Sequence, residues 1–274
     1  MDSNDQTKNR ALSKLFDLTS SFEEVKFEYE TLYKNTIQLI AESPYIFNYF
    51  HWTTDIKARR IIDHFGIKKI LGYGEDVVTF EKMISLIHPK FFPFVVQYAA
   101  TAYEMLTYKK YLPLSIKAHY SVQYPILCAN GKYLLVQMNV SIIVVDAKGN
   151  PIVNYNRFEV LGEYLDTPIP IKPRVFFRTG LDLSAKAKEA EKELNDKVKG
   201  IFIKIIGLTE KELSVLDYLA DNSLREEKFV ALKISRETLK THNKNILTKA
   251  KKHISPLFEK ARDVAKYLKT MEIV

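Results

Sequence analysis

The 274-residue chain predicts two unlike parts, an α+β N-terminal half built on an antiparallel sheet and an all-α C-terminal domain of short helices. Three observations carry this reading. Tyr-, Val- and Ile-rich segments after Pro113 are broken by Asn130-Gly131 and by the turn-rich run from Asp146 to Asn150, both hairpin signals. Before them, apolar residues recur at helical spacing. After Leu208, helix-capping signals follow one another at short intervals.

Composition bounds the possibilities. Apolar residues make up 46% of the chain and charged residues 27%, the balance of a globular protein rather than a disordered one. No apolar run approaches the roughly eighteen residues of a membrane span. The opening MDSNDQTKNR is polar with no apolar segment behind it, so no membrane association and a cytoplasmic location are the expectations. A single cysteine, Cys128, can neither close an internal disulfide nor form half of a CxxC knuckle, which argues against structural zinc. The formal charge of +8 favours anionic partners, and its distribution is uneven. Between Lys233 and Lys252 seven basic residues (Lys233, Arg236, Lys240, Lys244, Lys249, Lys251 and Lys252) face one acid, Glu237.

In chain order, residues 1–43 read as an extension with an amphipathic helix from Phe22 to about Glu42. Pro44 interrupts it, and Tyr45 to Trp52 reads as the first strand of a domain covering residues 44–165. Gly66 to Val78 is turn-rich. Thr79 begins a helix that places Phe80, Met83, Ile84 and Ile87 on one face and stops by Pro89, and a second helix spans Phe92 to Leu106. Strands follow over Lys117 to Pro125 and Lys132 to Val145, with another strand, turn and strand from Val144 to Val153. The Pro-rich DTPIPIKP, Asp166 to Pro173, is the place for a domain exit. Residues 166–204 are thus expected to be a linker and connecting helix. Within it, Leu183 to Val198 has high helix propensity and a thin apolar face, which fits either a solvated spacer or a lever packed on a partner.

Residues 205–274 carry the densest pattern. Thr209-Glu210-Lys211-Glu212 is a capping box, with Leu213, Leu216, Tyr218, Leu219 and Ala220 supplying an apolar stripe. Asp221-Asn222 ends that helix, Ser223-Leu224-Arg225-Glu226 opens a short second one through Leu232, and Ser235 caps a third of about fifteen residues. Three short helices in such a span bury a core only by crossing, the requirement of a helix-turn-helix. At 100° per residue from Leu239, Ile246 and Ala250 fall within about 20° of one edge, while Lys240, Lys244 and Lys251 fall between about 100° and 140°. Such a helix can enter the major groove with lysines directed at phosphates or guanine acceptors, or it can be an ordinary lysine-rich surface helix. Ser255-Pro256 looks like the start of a fourth helix. Its apolar residues Leu257, Phe258, Ala261, Val264, Ala265 and Leu268 fit a dimer contact or packing within one chain.

The segments LTEKELSVLDYLADNS (Leu208 to Ser223) and LKISRETLKTHNKNILTKA (Leu232 to Ala250) resemble the LuxR-type helix-turn-helix family. Agreement falls at Leu208, Thr209, Glu212, Val215, Leu216, Ala220, Leu232, Ile234, Ser235, Thr238, Lys240, His242, Ile246 and Lys249. The resemblance implies a four-helix domain that binds double-stranded DNA, usually as a homodimer paired through the fourth helix, in a transcriptional regulator. It implies base reading by Lys240, Thr241 and Lys244. The backbone is then met by Ser235, Thr238 and Lys249, with Arg236 and Lys251 added from their charge. Asn222 stands where the family prefers glycine, and Lys228-Phe229 where it prefers a small apolar pair.

Residues 45–160 resemble a PAS domain through ILGYGEDVVTFEKMISLIHP (Ile70 to Pro89) and NGKYLLVQMNVSIIVVDAKGNPI (Asn130 to Ile152). This implies an antiparallel five-stranded sheet that cups a small-molecule signal or meets a protein one. No cofactor and no metal are expected. Cys128 lacks the motif of flavin-adduct sensors, and His51, His64, His88 and His119 are isolated. An enzyme with an unfamiliar pocket containing Asp55, His64 and His88 is the rival class, although no catalytic spacing supports it. A protein-interaction adaptor using the C-terminal helices is the third.

Overall fold

In the computed structural model, residues 12–13, 16–20, 48–106, 118–169, 174–177, 184–220, 232 and 234–274 are described. The helix expected from Phe22 to Glu42, the short helix from Ser223 to Leu232 except Leu232 itself, and the Lys228-Phe229 pair lie outside them.

The strand-forming segments pair as expected and extend further. β1 (Tyr49–Asp55) and β2 (Arg60–Phe65) form a hairpin. Three short helical stretches, α1 (Ile67–Leu71), α2 (Phe80–Ser85) and the longer α3 (Phe92–Leu106), follow. β3 (Ala118–Leu127), β4 (Tyr133–Val145), β5 (Pro151–Glu163) and β6 (Arg174–Phe177) complete a sheet of order β2-β1-β5-β4-β3-β6, in which every pairing is antiparallel. The first five strands are thus the antiparallel five-stranded sheet of the α+β reading, and β6 is a sixth strand added beside β3.

Both hairpin turns rest on the predicted residues. Gly131 takes φ +82 and donates its amide to the Cys128 carbonyl at 3.0 Å. The buried Asp146 carboxylate accepts from the Lys148 and Asn150 amides at 2.9 and 2.7 Å, and so it holds the next turn without a regular ladder. Register fixes what faces the helices. Phe50 lies opposite Phe158, Met138 opposite Phe158 on its other side, and Tyr124 opposite Val136. These positions form one face, against which α3 lays Phe94, Val95 and Tyr98. The Tyr98 ring meets that of Tyr120 on β3 edge-on.

Several boundaries differ from expectation. The first strand runs to Asp55 rather than stopping at Trp52, because β1 is buried along its whole length between β2 and β5. β2, for which no element is expected from the sequence, is an edge strand with half-exposed residues, so its apolar alternation is weak. Within the turn-rich stretch Ile67 and Leu71 are buried by a helical turn flanked by two left-handed glycines, Gly66 and Gly72. A Cβ on Gly66 would sit 2.9 Å from the Tyr49 carbonyl oxygen. α2 is capped by the Thr79 hydroxyl, which accepts from the Lys82 amide, and α3 spans the expected residues.

The linker is not a loose tether. α4 (Ser184–Ile206) is longer than the predicted helix, and Ala190, Leu194, Val198, Phe202 and Ile206 are all buried. Spaced by four, they form one narrow stripe. The stripe packs α4 on α3, with the Phe202 ring perpendicular to Phe94 at 5.8 Å. The solvated-spacer reading is corrected, since one face of the helix is packed along its length. A thin stripe is enough when its every member is covered.

Candidate nucleic-acid interface

The C-terminal helices are built by their caps. α5 (Glu210–Ala220) starts at Thr209, whose amide and hydroxyl donate to Glu212 Oε2 at 2.8 and 3.1 Å while its hydroxyl accepts from the Glu212 amide. This is the reciprocal capping box read from the sequence. α6 (Arg236–His253) starts at Ser235, whose hydroxyl accepts from the Thr238 amide at 3.1 Å. α7 (Ala261–Thr270) begins six residues after the expected Ser255 cap. The Ser255 hydroxyl is buried, accepts from the Leu257 amide at 3.1 Å and donates to the Asp166 carbonyl, so it holds a local turn that does not continue into a helix. Instead the Asp263 carboxylate accepts from the Lys260 amide at 2.9 Å and ties down the helix start there.

α6 divides its surface as the angular argument requires. Leu239, Ile246 and Ala250 are buried, whereas Arg236, Lys240, Thr241, Lys244, Lys251 and Lys252 are exposed. Lys240 Nζ lies 2.9 Å from Glu237 Oε1, with both side chains well exposed, so the pair holds the ammonium weakly. The Thr241 hydroxyl donates to the Glu237 carbonyl at 3.1 Å. Ser235 and Thr238 are exposed, and their hydroxyls share a 2.9 Å hydrogen bond at the helix start. Lys240, Thr241 and Lys244 are thus exposed along the first half of the helix, and Lys251 and Lys252 are exposed in its last turn.

Lys249 does not join them. Its ammonium turns inward and donates to Glu212 Oε2 and to the Gly207 carbonyl, each at 2.7 Å. Glu212 is 3% exposed in its side chain. Burial would raise its carboxyl, but the Lys249 hydrogen bond and the Thr209 donors outweigh burial and hold it below its ordinary value. The same Glu212 therefore caps α5 and anchors α6. The capping box marked Glu212 in the sequence, but nothing local marked its second partner.

The fourth helix uses its apolar arc internally. Ala261, Val264, Ala265, Tyr267 and Leu268 are buried against α5 and α6, and outward positions carry Lys266, Lys269 and Thr270. Of the two roles left open for this helix, packing within one chain is the one observed.

The residues of the rival enzyme reading do not converge. Asp55 ends β1 and accepts from the Ala58 amide at 2.9 Å, and His64 sits opposite Trp52 in the β1–β2 ladder. Asp55 and Trp52 alternate to opposite faces of β1. His88 lies in the loop between α2 and α3, where its Nδ1 accepts from the Lys90 amide at 3.2 Å. Burial, with Lys90 adding to it against the opposing Asp166, pushes His88 down to about 4. Cys128 is a buried free thiol, pushed up by burial. Among the described residues no group of His, Cys, Asp and Glu could hold a metal ion, and no helix is long and apolar enough to cross a membrane.

No family model matches the chain, and no curated protein is similar to it. Among solved structures, the N-terminal domain of a diguanylate cyclase with a PAS/PAC sensor from Marinobacter aquaeolei is 14% identical. That similarity covers 42% of this chain and 96% of that one at a TM-score of 0.34. An RNA-binding light-oxygen-voltage receptor is also 14% identical, over 73% of this chain and 49% of that one at a TM-score of 0.31, so the chain spans about half its length. Both similarities are too distant to bear on function.

Proposed function

We propose that the chain is a cytoplasmic sensor-regulator, in which a PAS-like sheet domain sets the activity of a LuxR-type helix-turn-helix unit that binds double-stranded DNA. The observation that carries the reading is the division of α6. Leu239, Ile246 and Ala250 fasten the helix to α5 and α7, and Lys240, Thr241 and Lys244 stand exposed on the far edge. Lys240 and Lys244 would reach guanine acceptors or phosphates, with Thr241 between them, while Arg236, Ser235, Thr238 and Lys251 would meet the backbone. Lys249 is removed from the backbone set by its bonds to Glu212 and Gly207.

The PAS-like reading is supported by five contiguous antiparallel strands with α1 to α3 inserted between β2 and β3 and packed on one face. Such a domain would receive a small-molecule or protein signal. Two-fold DNA sites call for a homodimer, and with the apolar arc of α7 used inside the chain, pairing would come from another surface.

The test is genome-wide mapping of bound DNA followed by binding of the purified chain to the mapped site. Lys240→Ala with Lys244→Ala should abolish binding while leaving the helix content intact. Site-specific binding retained by that double variant sinks the assignment of α6.

A further inference from the structure

The segment after β5 is held from both sides. Tyr164 donates its amide to the Tyr133 carbonyl at 2.9 Å, and its ring stands edge-on to His88 and Phe91. Asp166 follows in a left-handed conformation, φ +58, which aspartate tolerates better than most residues other than glycine. Lys90, from the loop between α2 and α3, reaches the Asp166 carboxylate at 3.3 Å. From the opposite side, the buried Ser255 hydroxyl donates to the Asp166 carbonyl, and the Tyr267 hydroxyl donates to the Ile169 carbonyl at 2.5 Å. Ile169, Ser255 and Tyr267 are all buried. The carbonyls of one short segment are therefore satisfied by the C-terminal helices, and its charge is paired with the sheet domain.

The second attachment is α4. It ends at Gly207, φ +74, whose amide donates to the Ile203 carbonyl at 3.0 Å and whose carbonyl accepts from Lys249. A single left-handed glycine joins the two helices; Lys249 ties its carbonyl to α6, and α4 touches α6 directly, so any further restraint on the joint acts beside these.

We propose that residues 166–169 are a clasp that fixes the orientation of α5 to α7 about the Gly207 joint, so that a displacement at the end of β5 is passed to the C-terminal helices. The clasp is a statement about two bodies and one joint. Its value for regulation rests on DNA reading by α6, but its existence does not.

The test uses the full chain with spin labels on Lys148→Cys and Lys252→Cys, both exposed, since the native Cys128 is buried. Ser255→Ala with Tyr267→Phe removes the two hydroxyl donors and keeps the aromatic ring. The clasp predicts a narrow distance distribution in the parent and a broadened one in the double variant. The two bonds lost across the clasp correspond to roughly thirtyfold faster amide exchange over 166–169; residues 254–258 are not read, because Ser255→Ala also removes the acceptor of the Leu257 amide. Protection in β3 to β5 and in α5 should stay unchanged, which reports that the variant is folded. If the double variant loses that protection, Tyr267→Phe alone is read, with the same broadening expected in smaller degree. A folded variant with a distribution as narrow as the parent and unchanged exchange overturns the proposal. Failure of the chain to bind DNA would overturn the function proposed above and leave this result standing.

Discussion

Lys249→Met is the perturbation that best separates a structural lysine from a DNA-binding one. The substitution keeps the length and flexibility of the stem and removes the ammonium. Two hydrogen bonds disappear, to Glu212 Oε2 and to the Gly207 carbonyl, both 2.7 Å long. Both bonds have the charged ammonium as donor and contribute about 1.5–3 kcal/mol each, so the loss comes to at least about 3 kcal/mol. It stays below the upper range for orphaning a buried charge because Thr209 still donates twice to Glu212. Chemical denaturation followed by helix signal should show that loss, and Glu212→Gln in the same chain should recover part of it by removing the uncompensated charge. DNA binding measured at several salt concentrations supplies the second readout. A lysine on a phosphate adds about one unit to the salt slope, and its removal takes that unit away. The slope should be unchanged in Lys249→Met at temperatures where the variant is folded. A stability loss under about 1 kcal/mol together with a slope reduced by about one refutes the structural assignment.

The remaining predictions concern packing, pH and backbone. Phe202→Ala should cost about 3–5 kcal/mol in denaturation and expose the α3 face to hydrogen exchange, because that ring joins α4 to Phe94. Glu212 is held below its ordinary 4.5, so its stabilisation is complete above that value and lost as pH falls through the lower folded one. Glu212→Gln should remove this acid limb from the unfolding profile. His88 is pushed from 6.5 to about 4 by burial and Lys90 against Asp166, so the unfolded chain takes the proton first. Stability from this group is full above 6.5 and declines toward 4, and His88→Gln should flatten that interval relative to the parent. Gly207→Ala should cost about 1–2 kcal/mol from its positive φ alone, since nothing lies near its Cβ position. Gly66→Ala should cost more in the same denaturation assay, because the Tyr49 carbonyl crowds it as well.

Much of this architecture was legible because local chemistry decides it. Thr209-Glu212 and Ser235 wrote the starts of α5 and α6, Asn130-Gly131 and Asp146 wrote two hairpin turns, and the spacing of Leu239, Ile246 and Ala250 separated the inner and outer edges of α6. What failed to show was non-local. β6 hid beside prolines because its partner is β3, and β2 hid because an edge strand needs no clean alternation. The Ser255 cap misled differently: Ser255 does accept from the Leu257 amide as a cap would, but the turn it makes does not propagate and the helix begins at Ala261. Lys249 matches its neighbours in charge, but at 100° per residue it falls about 80° to the other side of Leu239, and the Glu212 that waits there is not local to it in sequence. Charge can be read from sequence, but direction depends on which helix lies opposite.

The strand order has a consequence for synthesis. Tyr49 pairs with Glu159 and Asp55 with Val153, so β1 emerges from the ribosome long before its second neighbour exists. At about 5–20 residues per second, the nascent chain waits several seconds with β1 supported by β2 alone. During that interval the apolar side of Phe50 and Trp52 has no Phe158 to cover it. The sheet domain therefore closes late, and a newly made chain is most vulnerable to aggregation or chaperone capture between the appearance of β1 and that of β5.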